Sequence, residues 1–210
     1  MKIGIIGSGA IGGTIGRLWA QAGHKVMFSS RHPEKLSALV THVGSNASAG
    51  TVSEAAQFGE VVLLAINYWT LEETLQQVND KLNNKTVIDA TNPLRWTSEG
   101  KTERMIPQEV TAGRVMAQRL PTAQIVKAFS TVYAGSLKTE AHRHGEPLAI
   151  PMAGDDEAAK KTVAQLVKDA GYFPVDIGTL NQSEPLDPGG VLWNSAITEV
   201  EIRQRLEFNQ

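Results

Sequence analysis

The sequence contains no cysteine. This excludes disulfides, thiolate metal sites and cysteine nucleophiles, and it fits a reducing cytoplasm. Long hydrophobic runs are missing too. The longest, Val61 to Ile66, falls far short of the ~18–20 apolar residues that a membrane helix needs, so no membrane association is expected. There is no excess of positive charge either: a formal net charge of −2 argues against a general nucleic-acid binder, which would be basic. No internal repeat and no low-complexity segment interrupts the chain. The first expected strand begins at residue 2 and leaves no room for a signal peptide, so the cytoplasm is the expected location. What remains is ordinary for a soluble globular protein. With 210 residues, 41% hydrophobic and 20% charged, it suffices for one sizeable α/β domain or a domain with a small appendage.

The opening stretch, MKIGIIGSGAIGGTIGRLWAQAGHKVMFSSR, organises the rest. Lys2 to Ile6 is a short apolar run rich in β-branched residues, which suits a strand buried on both faces. Gly7-Ser8-Gly9-Ala10-Ile11-Gly12 follows at once and fits G-x-G-x-x-G. Ile11, Ile15, Leu18, Trp19 and Ala22 then recur at helical spacing up to Gly23, and Lys25 to Ser29 completes a βαβ unit. In that context the glycine pattern reads as a dinucleotide fingerprint. Gly7 allows the tight turn, Gly9 lets a pyrophosphate approach the backbone, and Gly12 lets the helix pack on the sheet. The helix N-terminus offers free N–H groups and partial positive charge to the phosphates.

A further absence selects the cofactor. NAD enzymes usually carry an acid at the end of the second strand, where it bonds the ribose hydroxyls. Here the chain reads Ser29-Ser30-Arg31-His32-Pro33-Glu34-Lys35, with no acid at the strand end. Arg31 can stack on adenine and pair with a 2′-phosphate, and Ser30 can donate to it. Pro33 suits the first turn of a helix through Val43, which brings Lys35 near the same place. The expectation is NADP(H). The competing reading makes Arg31 and Lys35 ordinary surface charges.

Strands and helices continue to alternate. Strands are expected near Asn46 to Ala49, Val61 to Ile66, Lys85 to Ala90 and Gln124 to Phe129, with helices between them; Arg95 to Pro107 reads as a loop. This spacing predicts a doubly wound parallel Rossmann sheet. Near Gly135 the character shifts. A strand at Leu148 to Met152, an amphipathic helix at Glu157 to Ala170, a strand at Tyr172 to Ile177 and a helical stretch from Val191 to about Glu207 make a small C-terminal α/β portion. The expected division is therefore 1–134 for the dinucleotide-binding domain and 135–210 for the acceptor-side and dimerisation portion. His142-Arg143-His144 offers no third ligand and reads as a solvated loop rather than a metal site. Asp155 and Asp156 read as helix-capping residues.

Ligands of open parallel sheets lie beyond the carboxyl ends of the strands. Those ends carry Ser30-Arg31, Asn67-Tyr68-Trp69, Asn92-Pro93 and Ser130-Thr131, with no evident His, Lys or Tyr base. An alcohol dehydrogenase must move a proton with its hydride, whereas transfer to a flavin-like ring can proceed by stacking and orientation. Trp69 and Trp96 can supply a stacking surface, or simply pack in the core or a loop.

The segments GIIGSGAIGGTIG, SSRHPEK, VVLLAIN, VIDATNPL, IVKAFSTV and MAGDDEAAKKTVAQLVKDAGYFPVDIGTL together resemble the NADPH:deazaflavin oxidoreductase family. Its deazaflavin is coenzyme factor 420, and the cytoplasmic domain of six-transmembrane metalloreductases shares its fold. The resemblance implies that the glycine turn and the Ser30-Arg31 pair hold NADP. It implies that Asn67, Tyr68 and Trp69, then Asn92 and Pro93, and Ser130 through Ala134 line the nicotinamide and the acceptor ring. It also implies a homodimer and a deazaflavin or flavin as small-molecule redox acceptor. Two departures stand out. Some deazaflavin enzymes place a His where this chain has Ser130, and the membrane reductases continue into a haem-binding domain whereas this chain ends at Gln210. A haem-linked ferric reductase is therefore not expected, and the acceptor stays open. Two other readings compete: reduction of a small carbonyl or imine, with Tyr133 as the candidate proton donor, and a non-catalytic NADP(H)-sensing module.

Overall fold

Alternation along the central strands sorts their apolar side chains into two cores, and a third, smaller cluster forms around Ala149, Val175 and Ile202. In the computed structural model, which describes residues 1–208, β1 (Lys2–Ile6) sends Ile3 and Ile5 to one face of the sheet and Ile6 to the other. β4 (Val61–Leu64) divides likewise, with Val61 and Leu63 on the first face and Val62 and Leu64 on the second. β5 (Thr86–Asp89) and β8 (Gln124–Lys127) place Ile88 and Val126 on the first face, Val87 and Ile125 on the second. Both faces being covered is why these strands read as unbroken apolar runs.

The remaining strands are β2 (Lys25–Ser29), β3 (Ala47–Gly50), β9 (Ala149–Gly154) and β10 (Phe173–Asp176). They complete an eight-stranded sheet in the order β10-β9-β8-β5-β4-β1-β2-β3. The strand order reverses between β1 and β4, and the crevice above that point is where ligands of such sheets bind. α1 (Ala10–Gln21), α2 (Ser37–Val43), α6 (Ala134–Thr139) and α7 (Glu157–Asp169) cover the first face; α3 (Val52–Phe58), α4 (Leu71–Val78) and α5 (Ala112–Arg119) cover the second. Trp19 of α1 donates its ring N–H to the Leu166 carbonyl of α7 at 2.7 Å, tying the first helix to the C-terminal portion. Among the described residues no helix is long and apolar enough to cross a membrane.

The doubly wound Rossmann sheet expected from the sequence is present, with differences of detail. β9 runs antiparallel to β8, pairing Val126 with Gly154, while β10 is parallel to β9, so the C-terminal strands extend the same sheet. An antiparallel neighbour needs no crossover, and the link from β8 carries only the six-residue α6. Arg95 to Pro107, expected to be loop, contains a hairpin of β6 (Leu94–Trp96) and β7 (Thr102–Arg104). Three-residue strands this exposed show no alternation for a pattern to catch. The helix expected from Val191 starts only at α8 (Glu199–Glu207), where Thr198 and Glu201 form a capping box. Upstream, backbone groups bond elsewhere: Ser195 N–H to the Thr131 carbonyl, and the Ile197 carbonyl to Ala149 N–H in β9. The helix expected from Pro33 opens as a 3₁₀ turn, Pro33–Leu36, before α2. Residues 209 and 210 of the expected C-terminal portion lie outside the described residues.

Candidate functional site

The site begins where β1 turns into α1. Gly7 sits at φ +98°, and a Cβ there would fall 2.3 Å from the Ala65 carbonyl oxygen of the neighbouring chain segment, so only glycine fits. Gly12 lies beneath the turn: its Cβ would meet the Gly7 carbonyl oxygen at 2.0 Å. Gly9 is different, with nothing within 4 Å of where a Cβ would stand. It occupies the N-cap of α1 without a side-chain hydrogen bond, and the first turn carries no acid. The leading N–H groups of the helix are thus left for an outside acceptor. Ser8 donates its hydroxyl to the Ser29 carbonyl at 3.0 Å, and Ser29 donates to the Ile5 carbonyl at 2.7 Å, locking the turn to the end of β2.

That strand end delivers Ser30 and Arg31. Ser30 accepts from the His32 N–H at 3.0 Å, which fixes the turn. Arg31 is exposed and has no ion-pair partner among the described residues. A cleft of about 570 Å³ opens over these elements, lined by the Gly7–Ile11 turn, Ser30, Arg31, Asn67 and Ala134. These expected residues therefore share one cavity. The cleft also takes Leu36, Val52 and Ile66 as apolar lining, and Thr70, Glu73, Thr74 and Gln77 from α4 and its start. Sequence reasoning missed the α4 residues. They recur at three- and four-residue spacing beside the buried Leu71, Leu75 and Val78, a pattern that a solvent-facing stripe shares.

The other expected site residues lie outside this lining. Lys35 is exposed on the 3₁₀ turn. Tyr68 is buried in the second core with its ring 5.2 Å from the Arg119 guanidinium, and burial pushes its hydroxyl pKa up. Trp69 is 51% exposed, and Trp96 in β6 and Tyr133 before α6 are 69% and 71% exposed. These aromatic faces are open to solvent at the carboxyl end of the sheet rather than packed in the core. Pro93 is buried, and Asn92 donates its amide to the Ser130 carbonyl at 2.9 Å. The Asn92 amide oxygen and the Ser130 hydroxyl are buried without partners. Among the described residues no three His, Asp or Glu side chains gather to hold a metal ion.

Beneath Asn92 lies a pair that sequence reasoning did not single out. Asp89 and Lys127, the last residues of β5 and β8, face each other in register, fully buried, with Nζ 3.2 Å from the carboxylate. Asp89 also accepts from the Thr91 N–H at 2.9 Å and the Thr91 hydroxyl at 2.6 Å, and Lys127 donates to the Thr91 carbonyl. The pair thereby shapes the turn that presents Asn92. A charged residue closing an otherwise apolar strand was its signal in the sequence. The hairpin has its own anchor: buried Asp187 accepts from the Ala112 N–H at 2.8 Å and from Arg104 at 3.3 Å. Burial raises the Asp187 pKa, against the opposing pull of the Ala112 N–H, Lys127 and Arg104.

Fold and cleft together define a Rossmann protein with an open glycine turn and an unpaired strand-end arginine, a set that fits a phosphorylated dinucleotide. Comparison with known proteins agrees. Residues 2–93 match the family model described as NADP oxidoreductase coenzyme F420-dependent. Metalloreductase STEAP3 of Rattus norvegicus is 26% identical over 186 residues, covering 89% of this chain and 36% of that protein. The F420-dependent NADP reductase of Methanocaldococcus jannaschii is 28% identical over 136 residues, covering 64% of this chain and 60% of that protein. The crystal structure of a hypothetical protein from Sinorhizobium meliloti superposes with a TM-score of 0.84 at 27% identity, covering 95% of this chain and 96% of that one. Over these stretches the chain is similar to the coenzyme F420-dependent NADP oxidoreductases and to the metalloreductases. It spans 36% and 60% of the length of those two curated relatives.

Proposed function

We propose that this protein is an NADP(H)-dependent oxidoreductase that passes hydride between the nicotinamide and a planar acceptor, a deazaflavin (coenzyme factor 420) or a flavin. One observation carries the cofactor choice: Ser30 and Arg31, which has no ion-pair partner among the described residues, stand at a strand end without an acid and border a cleft floored by Gly9, which leaves room for a pyrophosphate. In this reading the free N–H groups of α1 bind the pyrophosphate and Arg31 pairs with the 2′-phosphate. The bound dinucleotide supplies the hydride chemistry. Asn92 and Ser130, with buried polar atoms still unpartnered, border the place where the nicotinamide would reach the acceptor. The open faces of Trp69 and Trp96 favour a planar partner over a small carbonyl compound, since flat rings are oriented by stacking.

Two measurements test this. Arg31→Ala should weaken NADPH binding by roughly ten- to hundredfold and NADH binding far less, because it removes a charge-assisted contact of about 1.5–3 kcal/mol. Equal losses for both nucleotides would refute the 2′-phosphate assignment. NADPH oxidation followed with deazaflavin, with FMN and with no acceptor should be fast with the deazaflavin or the flavin. Tight NADPH binding without turnover on either ring would move the assignment to the sensing module or to another substrate.

A further inference from the structure

A carboxylate lines the same cleft. Glu73 stands on the stripe of α4 that faces it, flanked by Thr70, Thr74 and Gln77, and its carboxylate has no hydrogen-bond or ion-pair partner among the described residues. The Thr74 hydroxyl is already committed as donor to the Thr70 carbonyl at 2.8 Å. A site for a dinucleotide phosphate gathers anions, so a carboxylate within it repels its ligand unless it meets a donor. The adenosine half of such a ligand offers two kinds of donor, the exocyclic amine of adenine and the ribose 3′-hydroxyl. The 3′-hydroxyl neighbours the 2′-phosphate and stays with it at Arg31. The amine lies at the far end of the base. Leu36, Val52 and Ile66 supply apolar surface for the faces of that base.

We infer that Glu73 reads the adenine, accepting a hydrogen bond from its exocyclic amine, and that the cleft thereby selects adenine over hypoxanthine. In hypoxanthine a carbonyl oxygen stands where adenine has its amine, so the carboxylate would face an acceptor instead of a donor. The inference rests on the NADP(H) reading above and adds which purine that site takes.

Equilibrium titration of the full chain with NADPH and with its hypoxanthine counterpart tests it, read by quenching of tryptophan fluorescence. The wild type should bind NADPH roughly tenfold more tightly than the hypoxanthine form. Glu73→Ala should bring that ratio close to one. Glu73→Gln, whose amide both accepts and donates, should likewise bring the ratio close to one. The ratio is the readout, because removing a negative charge from an anion site strengthens both complexes alike. Glu73 is exposed in the first turn of α4, so both variants should fold and melt within a few degrees of the wild type. A wild-type ratio of one, or a Glu73→Ala variant that keeps the wild-type preference, overturns the inference while leaving the cofactor reading intact. Failure of the wild type to bind either nucleotide overturns both.

Discussion

Gly9→Val should leave the protein folded and abolish nucleotide binding, whereas Gly12→Val should damage the fold itself. The two glycines belong to one motif, but their surroundings are opposite. Gly9 has φ −77° and ψ −155°, an extended conformation open to any residue, and no protein atom lies within 4 Å of its Cβ position. A valine there contacts nothing in the protein and costs on the order of 1 kcal/mol as a poorer N-cap. Its methyl groups would fill the space over the helix N-terminus that a pyrophosphate needs, so affinity should fall by on the order of a hundredfold or more. At Gly12 the first added carbon would stand 2.0 Å from a backbone oxygen, and backbone cannot rotate aside. Overpacking of this kind costs about 1–3 kcal/mol or more, and α1 would be pushed off the sheet. Thermal melts paired with NADPH titration separate the two. A stable Gly9→Val variant that binds normally would remove the pyrophosphate from this turn.

Lys127→Met should be the most destabilising single change among the charged residues. It leaves the Asp89 carboxylate fully buried without its cation, and breaking a buried pair costs about 3–5 kcal/mol. Adding Asp89→Asn should recover most of that loss. The amide oxygen can still accept from the Thr91 N–H and hydroxyl, and no uncompensated charge remains. Denaturant unfolding of the single and double variants measures the coupling. A single variant within about 1 kcal/mol of the wild type would mean that the pair contributes little, as exposed pairs do. Because the pair shapes the turn before Asn92, the double variant also reports on function. Wild-type stability with slowed hydride transfer would mark Lys127 and Asp89 as positioning residues for the acceptor side.

Much of the wall of the cleft formed by β1, α1 and β2 was legible in the chain. The glycine spacing between a β-branched run and a helical period gave the turn, and the missing acid after Ser29 pointed to Arg31. These signals are local: each depends on residues adjacent in sequence, and backbone sterics decide them. The second wall of the cleft was less visible. Glu73 and Gln77 look like ordinary solvent-facing residues of an amphipathic helix, and nothing local distinguishes a polar stripe that meets water from one that meets a ligand. Tyr68 was read as lining and lies in a core instead. In the 3₁₀ turn that precedes α4, successive side chains point in different directions, so Asn67 reaches the cleft while its neighbour packs against Arg119.

By itself the sequence determined the strands of the main sheet, their order along the chain and the glycine turn, because hydrophobic period and glycine sterics act over a few residues. Only the tertiary structure decided the antiparallel entry of β9, the hairpin after β5, the pairing of Asp89 with Lys127 and the company of Glu73 in the cleft. Each of these joins elements distant in sequence. Their geometry follows from how the cores pack around the sheet, and no local pattern encodes that.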